Sequence, residues 1–162
     1  VPASVADARG PHALHAWRLE GNGMADIVRK VHYYSTSVPD RPGEAFRVLQ
    51  TFVCAGIDLL ACAGSTRGRR ARIDVVPGDT RRFAAAVRKA GLSFSHKRAG
   101  FLIQGTDRTG ALAEHLQRLA ERRINVTAVD GLSAGAGRWG AIVWVDDADV
   151  ARAGRVLRAA AR

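Results

Sequence analysis

Two short segments hold residue types from which a small-molecule site can be built: Asp40-Arg41-Pro42-Gly43 and Asp107-Arg108-Thr109-Gly110. Each lies between a run of strand-forming residues and a run with helical spacing. Gly43 and Gly110 therefore fall at helix entrances, where a residue without a Cβ lets the backbone come close to a ligand. The first amides of a helix have no partner within it and carry the positive end of its dipole. A carboxylate suits that position. Asp40 and Asp107 bring the opposite charge, and each either caps its helix or accepts hydrogen bonds from an ammonium group. Amides and acidic side chain together complement both charged ends of a free amino acid. Turn chemistry alone also places Asp and Gly in such loops; the motif stands out because it occurs twice with matching flanks.

The two segments belong to a repeat. An offset of 67 carries Asp40 onto Asp107, Leu49 onto Leu116, Phe52 onto Leu119, Ile57 onto Ile124, Asp58 onto Asn125 and Asp79 onto Asp146. One offset held without a gap over this span marks an internal duplication. In the first copy, Val31–Ser37 is rich in β-branched and aromatic residues and predicts a strand. Phe46, Leu49, Phe52 and Val53 recur at helical spacing from Glu44 to about Gly56. Ile57–Ala63 and Ala71–Val76 predict a hairpin turning through Gly64–Gly68. Asp79 or Thr80 caps a helix through Phe83, Val87 and Ala90, and Leu92–Lys97 predicts a fourth strand. The second copy repeats the order with strands at Phe101–Gly105, Ile124–Val129 and Trp139–Val145. Its helices run through Leu112, Leu116 and Leu119, and then through Val150, Val156 and Leu157 behind a cap at Asp146 or Asp147.

The order βαββαβ gives an antiparallel sheet under two helices, the ferredoxin-like arrangement. The expected fold class is therefore α+β, two tandem ferredoxin-like modules. A flexible extension is expected over 1–29, a first module over 30–98 and a second over 99–162. The second module has no last strand of its own, because Leu92 shifted by 67 gives Ala159 and the sequence ends at Arg162. Unpaired backbone at a sheet edge finds a partner or a cover. The gap should be filled by a strand from the first copy or from a second subunit.

Composition narrows the function classes. The chain has 162 residues, 47% hydrophobic and 25% charged, the make-up of a globular protein with no run long enough to span a membrane. The formal charge of +10 raises nucleic-acid binding as an alternative. Against it, all but three (Lys30, Lys89, Lys97) of the 25 basic residues are Arg, and Ala and Gly are abundant too, which fits the codon bias of a GC-rich genome. The densest basic group, Arg67, Arg69, Arg70 and Arg72, has the default reading of a solvated loop and strand edge. RNA recognition on this topology needs aromatics on the first and third strands; Tyr33, Tyr34, Phe101, Trp139 and Trp144 are the only candidates. Cys54 and Cys62 form no metal or CxxC motif, the five His are scattered, and no spacing specifies a catalytic triad. A non-enzyme with reduced thiols, no cofactor and no metal, located in the cytoplasm, is expected.

At its two Asp-Arg-x-Gly loops, and at Ala55-Gly56-Ile57-Asp58-Leu59 and Arg123-Ile124-Asn125-Val126, the sequence resembles the ACT domains. These are small, usually paired βαββαβ regulatory modules that bind amino acids or similar metabolites at interfaces between modules. The resemblance runs from about Lys30 to the end, with Thr109 in place of the usual Pro. It implies ligand contacts at Asp40, Arg41, Gly43 and Asp58, and at Asp107, Arg108, Gly110 and Asn125. It also implies a free amino acid as ligand, a homodimer formed through sheet edges, and an enzyme or regulator under control.

Overall fold

The computed structural model describes residues 26–159. Its elements are β1 (Ile27–Pro39), α1 (Glu44–Cys54), β2 (Leu59–Arg67), β3 (Arg70–Pro77), α2 (Thr80–Lys89) and β4 (Arg98–Thr106). They continue with α3 (Ala111–Glu121), β5 (Val126–Gly135), β6 (Arg138–Val145), a 3-10 turn (Asp147–Asp149) and α4 (Val150–Val156). Of the expected extension, residues 27–29 belong to β1, and the part before Asp26 lies outside the described residues. Apart from the strand expected at Leu92–Lys97, the order of elements in both copies is the one the repeat predicts.

The sheets differ from that expectation in one respect. All six strands join in the single order β2-β3-β1-β4-β6-β5, every pair antiparallel. Strand β1 is shared between the copies: Ile27–Tyr33 pairs with β4, and Tyr34–Pro39 pairs with β3. Its first half thus occupies the edge that the second copy leaves open, so the missing strand comes from the first copy. The expected strand at Leu92–Lys97 does not form. This segment is irregular, and its hydrogen bonds to β1 include Ser95 N to Ser35 O at 2.8 Å, Thr36 Oγ1 to Ser93 O at 2.7 Å and Ser35 N to Ser95 Oγ at 3.0 Å. Two serines, a histidine and a lysine over Ser93–Lys97 give the backbone competing side-chain partners and little apolar surface to hold a ladder.

Alternation along β1 sends Val28 and Tyr34 to the helix-bearing side and Val31 and Tyr33 to the other. Each half has its own core beneath its helices. Val48, Phe52, Ile73, Val75 and Phe83 fill the first; Phe101, Ile103, Leu119, Val143 and Leu157 fill the second. A third cluster joins the helix-free faces: Val31, Tyr33, Val76, Leu102, Ile142 and Trp144, with Leu60, Ala61 and Ala63 of β2 against it. Strands β2 and β6 are far apart in the strand order, so the sheet folds over until its halves meet back to back. Each large side chain buried there contributes about 1.5–3 kcal/mol. Asp79 caps α2 by accepting from the amides of Arg81 and Arg82 at 2.8 and 3.0 Å, as expected. The last helix instead enters through the 3-10 turn, and neither Asp146 nor Asp147 has a capping role there.

The start of β1 is fastened by a buried carboxylate. Asp26, with only 3% of its side chain exposed, accepts from both terminal nitrogens of Arg108 at 3.0 and 2.9 Å. It also accepts from His115 Nε2 at 2.9 Å and Trp139 Nε1 at 3.3 Å. Arg108 reaches on to Glu114 at 2.6 Å, and the two carboxylates hold its guanidinium in the charged form. Gly105 makes the room, because a Cβ there would collide with Asp26 Oδ1. Breaking such a buried pair from one side costs about 3–5 kcal/mol. Asp26→Ala should destabilise the protein by that order, and Gly105→Ala should do nearly the same by evicting the carboxylate. Combined, the two should cost little more than either alone in a double-mutant cycle read by urea denaturation.

The clamp also gives stability a pH dependence. Burial by itself would raise the Asp26 carboxyl, but the hydrogen bonds from Arg108, His115 and Trp139 outweigh it and hold the group below the ordinary carboxylate range. A folded pKa below the unfolded value of about 3.9 stabilises fully above that value, and the effect vanishes as pH falls through the folded one. The stability of the parent should therefore fall more steeply below about pH 4 than that of Asp26→Asn. Parallel slopes in acid would show that the carboxylate has no such role.

Candidate functional site

The two Asp-Arg-x-Gly loops sit where the sequence places them. Gly43 and Gly110 are the helix N-cap residues, with φ of 89° and 83°, left-handed values that strain any residue with a Cβ. No side chain caps either helix, so Asp40 and Asp107 are not caps. Glu44 and Ala111 close short turns onto Arg41 O and Arg108 O. The next amides, of Ala45 and Phe46 and of Leu112 and Ala113, have no acceptor among the described residues. Each loop is held from its other side by the tip of its own copy's hairpin. Asp40 N donates to Arg69 O at 3.1 Å, and Asp107 N donates to Gly137 O at 2.7 Å. A backbone hydrogen bond thus ties helix entrance to hairpin tip in both halves.

The side chains of the two loops have diverged. Asp40 and Arg41 stand in open solvent with no side-chain partner among the described residues. In the second loop Arg108 turns inward to the Asp26 clamp, and Asp107 accepts from Ser133 Oγ of β5 at 2.7 Å. A groove of about 290 Å³ runs beside it, walled by Asp107, Gly110, Leu112 and Ala113 on one side and Gly131, Leu132 and Ser133 on the other. Trp139 closes its end. The groove brings unengaged amides, an acidic side chain, a hydroxyl and apolar surface together. Arg108 borders it, but with its charge spent on Asp26 and Glu114 it is a positioning residue rather than a free anion partner.

The structure separates the remaining pair from these loops. Asp58 and Asn125 are exposed at the far ends of α1 and α3, each 11 residues and so about 16 Å from the Gly at the start. The Asp58 carbonyl accepts from Gly78 N at 2.9 Å. Within one copy, a free amino acid at the loop does not reach them. Sequence reasoning also missed His115, Glu114, Asp26 and Ser133. A signal was present in the repeat itself: the offset of 67 sets His115 against Val48, Glu114 against Arg47 and Gly105 against Val38. A buried polar group replacing a core valine marks where the copies took different roles.

The alternatives fare differently. Phe101, Tyr33, Trp139 and Trp144 are buried, at 0%, 3%, 6% and 5% exposure, and stack on no ligand from there. Among the described residues no group of three or more His, Cys, Asp or Glu is placed to hold a metal ion. No described helix is long and apolar enough to cross a membrane.

The sequence matches no known family profile and no curated protein. Solved structures do share its fold. Protein BT0572 from Bacteroides thetaiotaomicron superposes with a TM-score of 0.68 at 15% identity, over 82% of this chain and 88% of that one. The ligand-free regulatory subunit of aspartate kinase from Thermus thermophilus gives 0.59 at 18% identity, over 84% and 96%. A structure of aspartokinase alpha and beta subunits gives 0.56 at 18% identity, over 84% and 96%. The chain has the ACT-type, ferredoxin-like fold of aspartate kinase regulatory domains.

Proposed function

We propose that the chain is a non-catalytic regulatory module that binds a free amino acid or a similar small carboxylate metabolite at the second Asp-Arg-x-Gly loop. The observation that carries this is the groove that gathers Asp107, the unengaged amides of Leu112 and Ala113, and the apolar side chains of Leu112 and Leu132. The amides suit the ligand's carboxylate, Asp107 its ammonium group, and Leu112 and Leu132 the side chain. A fold shared with regulatory subunits supports the same reading. Asp40, Arg41 and Gly43 offer the first copy's weaker version of the site, more open to solvent. Asp58 and Asn125 lie far enough off that they meet a ligand only where a second module brings one to them.

Affinity follows from the donor set. Charge-assisted hydrogen bonds contribute about 1.5–3 kcal/mol each. Three of them with a half-buried side chain give about 8 kcal/mol, a micromolar constant. In a thermal-shift screen of the twenty amino acids, one or a few should raise the melting temperature by about 5 °C at a hundredfold excess over that constant. Asp107→Ala should abolish the shift while leaving the unliganded melting temperature nearly unchanged. No shift with any of the twenty would leave the loop a turn and nothing more.

The proposal includes a homodimer and an enzyme or regulator under control in the cytoplasm. Its support is the free edge of β5, exposed from Thr127 to Gly135, with Leu132 67% exposed on it. On α1, Phe46 and Val53 are 64% and 75% exposed. A long edge with apolar side chains invites pairing. Sedimentation should find a dimer that Leu132→Lys dissociates; a monomer at high concentration rules out the edge as an interface.

A further inference from the structure

The side chains of the basic cluster Arg67, Arg69, Arg70 and Arg72 take no part in the loop site. The fold does not leave it as a diffuse solvated edge. In the β2–β3 ladder Arg67 lies directly opposite Arg70, and Ser65 opposite Arg72. Like charges placed opposite each other destabilise a sheet unless something neutralises them. Strand alternation puts Arg70 and Arg72 on the helix-free side, and Arg98 comes to the same place from the start of β4, its guanidinium 5.6 Å from the Tyr33 ring centre. Arg67, Arg70 and Arg72 of the hairpin and Arg98 of β4 thus meet at one depression of about 1070 Å³ with no carboxylate in its lining, Arg98 pairing from there with Asp147 at 3.6 Å.

Two of the four are already aimed. Arg70 donates through Nε to Ser37 Oγ at 2.8 Å and through Nη2 to Ser37 O at 2.6 Å. Arg72 is held through Nε and Nη2 by Asp74 and by Ser35 Oγ. In both, Nη1 has no acceptor among the described residues, and Arg67 has no partner there at all. Fixed guanidinium forks beside serine hydroxyls are the donor set that phosphate oxygens fit. The lining also includes half-buried Leu92 and Phe94, whose outward surface is apolar ground for the rest of a ligand, the Phe94 ring being packed on Phe52 and Phe83 of the first core. Small-molecule pockets run to about 1,000 Å³, so the depression has room for far more than a bare anion.

We propose that this depression is a second ligand site, for a phosphorylated small metabolite whose phosphoryl group sits among Arg67, Arg70 and Arg72 and whose organic body rests on Leu92 and Phe94. The site is independent of the amino-acid groove and uses none of its residues. A single-stranded nucleic acid is the poorer fit, because strand binding relies on exposed aromatic platforms and Tyr33 and Trp144 on this side are buried.

Calorimetry on the full chain tests the site with adenosine monophosphate, glucose 6-phosphate, inorganic phosphate and a short single-stranded RNA, each at two salt concentrations. At least one organic phosphate should saturate, and should bind more tightly than inorganic phosphate. Arg67→Ala should weaken it about tenfold, the loss expected of one charge-assisted contact. The same variant without ligand should melt no lower than the parent, since it relieves a like-charge pair; a lower melting temperature would make Arg67 a structural residue and overturn the site. The proposal also fails if neither organic phosphate binds at millimolar concentration, if Arg67→Ala binds as well as the parent, if inorganic phosphate binds equally tightly, or if RNA binds more tightly than all of them. Asp107→Ala should leave phosphate binding unchanged, which separates this outcome from that of the amino-acid screen.

Discussion

Strand β1 has to satisfy the backbone of two sheets at once, and the rest of the architecture follows from that. Its 13 residues are long enough to pair with β4 over the first half and with β3 over the second. A buried strand edge without partners would leave amides and carbonyls unpaired at a cost of about 1–3 kcal/mol each. In the second copy, β4 pairs with β6 on one side, and its other side would be just such an edge. Lending it the first half of β1 pairs that edge and joins the two copies covalently and through the ladder. Asp26 fixes the register. With its carboxylate locked between Arg108, His115 and Trp139, β1 cannot slip by one residue, a shift that would turn Val28, Val31 and Tyr33 to the wrong faces.

This sharing also explains how the two loops, equal in sequence, became unequal in chemistry. The clamp needs a cation near the start of β1, and Arg108 is the residue of the second loop that reaches it. Once committed to Asp26 and Glu114, Arg108 no longer meets a ligand as a free charge, but it rigidifies the wall of the groove beside Asp107. Nothing comparable draws Arg41 inward, because Val48 and Val38 occupy the positions of His115 and Gly105. The first loop keeps its charges and loses its enclosure; the second gains a pocket at the expense of one charge. A ligand in that pocket touches the β5 side as well as the helix entrance. Under the proposed function it would bias the pairing of the β5 edge, provided its affinity differs between the paired and unpaired states.

Much of this was legible in the residues. Helical spacing, turn residues and the constant offset give the βαββαβ order, the two loops, the Asp79 cap and the open edge of the second copy. Element order is a local property, set by periods of 3.6 and 2 that a sequence displays directly. The failures are non-local. Leu92–Lys97 has alternation enough for a strand, yet its serines bond to β1 piecemeal, and β1 gives its first half to β4 instead. The distance of Asp58 and Asn125 from the loops of their own copies is likewise set by helix length, which residue type does not display. Asp26 precedes the first regular strand residue, and nothing nearby in sequence indicates that a partner 82 positions away will bury it.

Folding the sheet back on itself divides its helix-free side into two environments. Where the halves touch, Val31, Tyr33, Leu102, Ile142 and Trp144 exclude water. Beyond that contact, the same side of β3 and β1 carries Arg72, Arg70, Ser35 and Ser37, and the change from apolar to basic comes within a few residues along each strand. Asp74 sits near the boundary, paired with Arg72 and Ser35. It neutralises the guanidinium nearest the apolar contact, where an unpaired charge would cost most, and leaves those farther out uncompensated. Charge that a solvated edge would merely disperse is thereby concentrated beside a low-dielectric wall, where its field on an incoming anion is least screened. The back-to-back packing that holds the two copies together also gives the basic depression its strength.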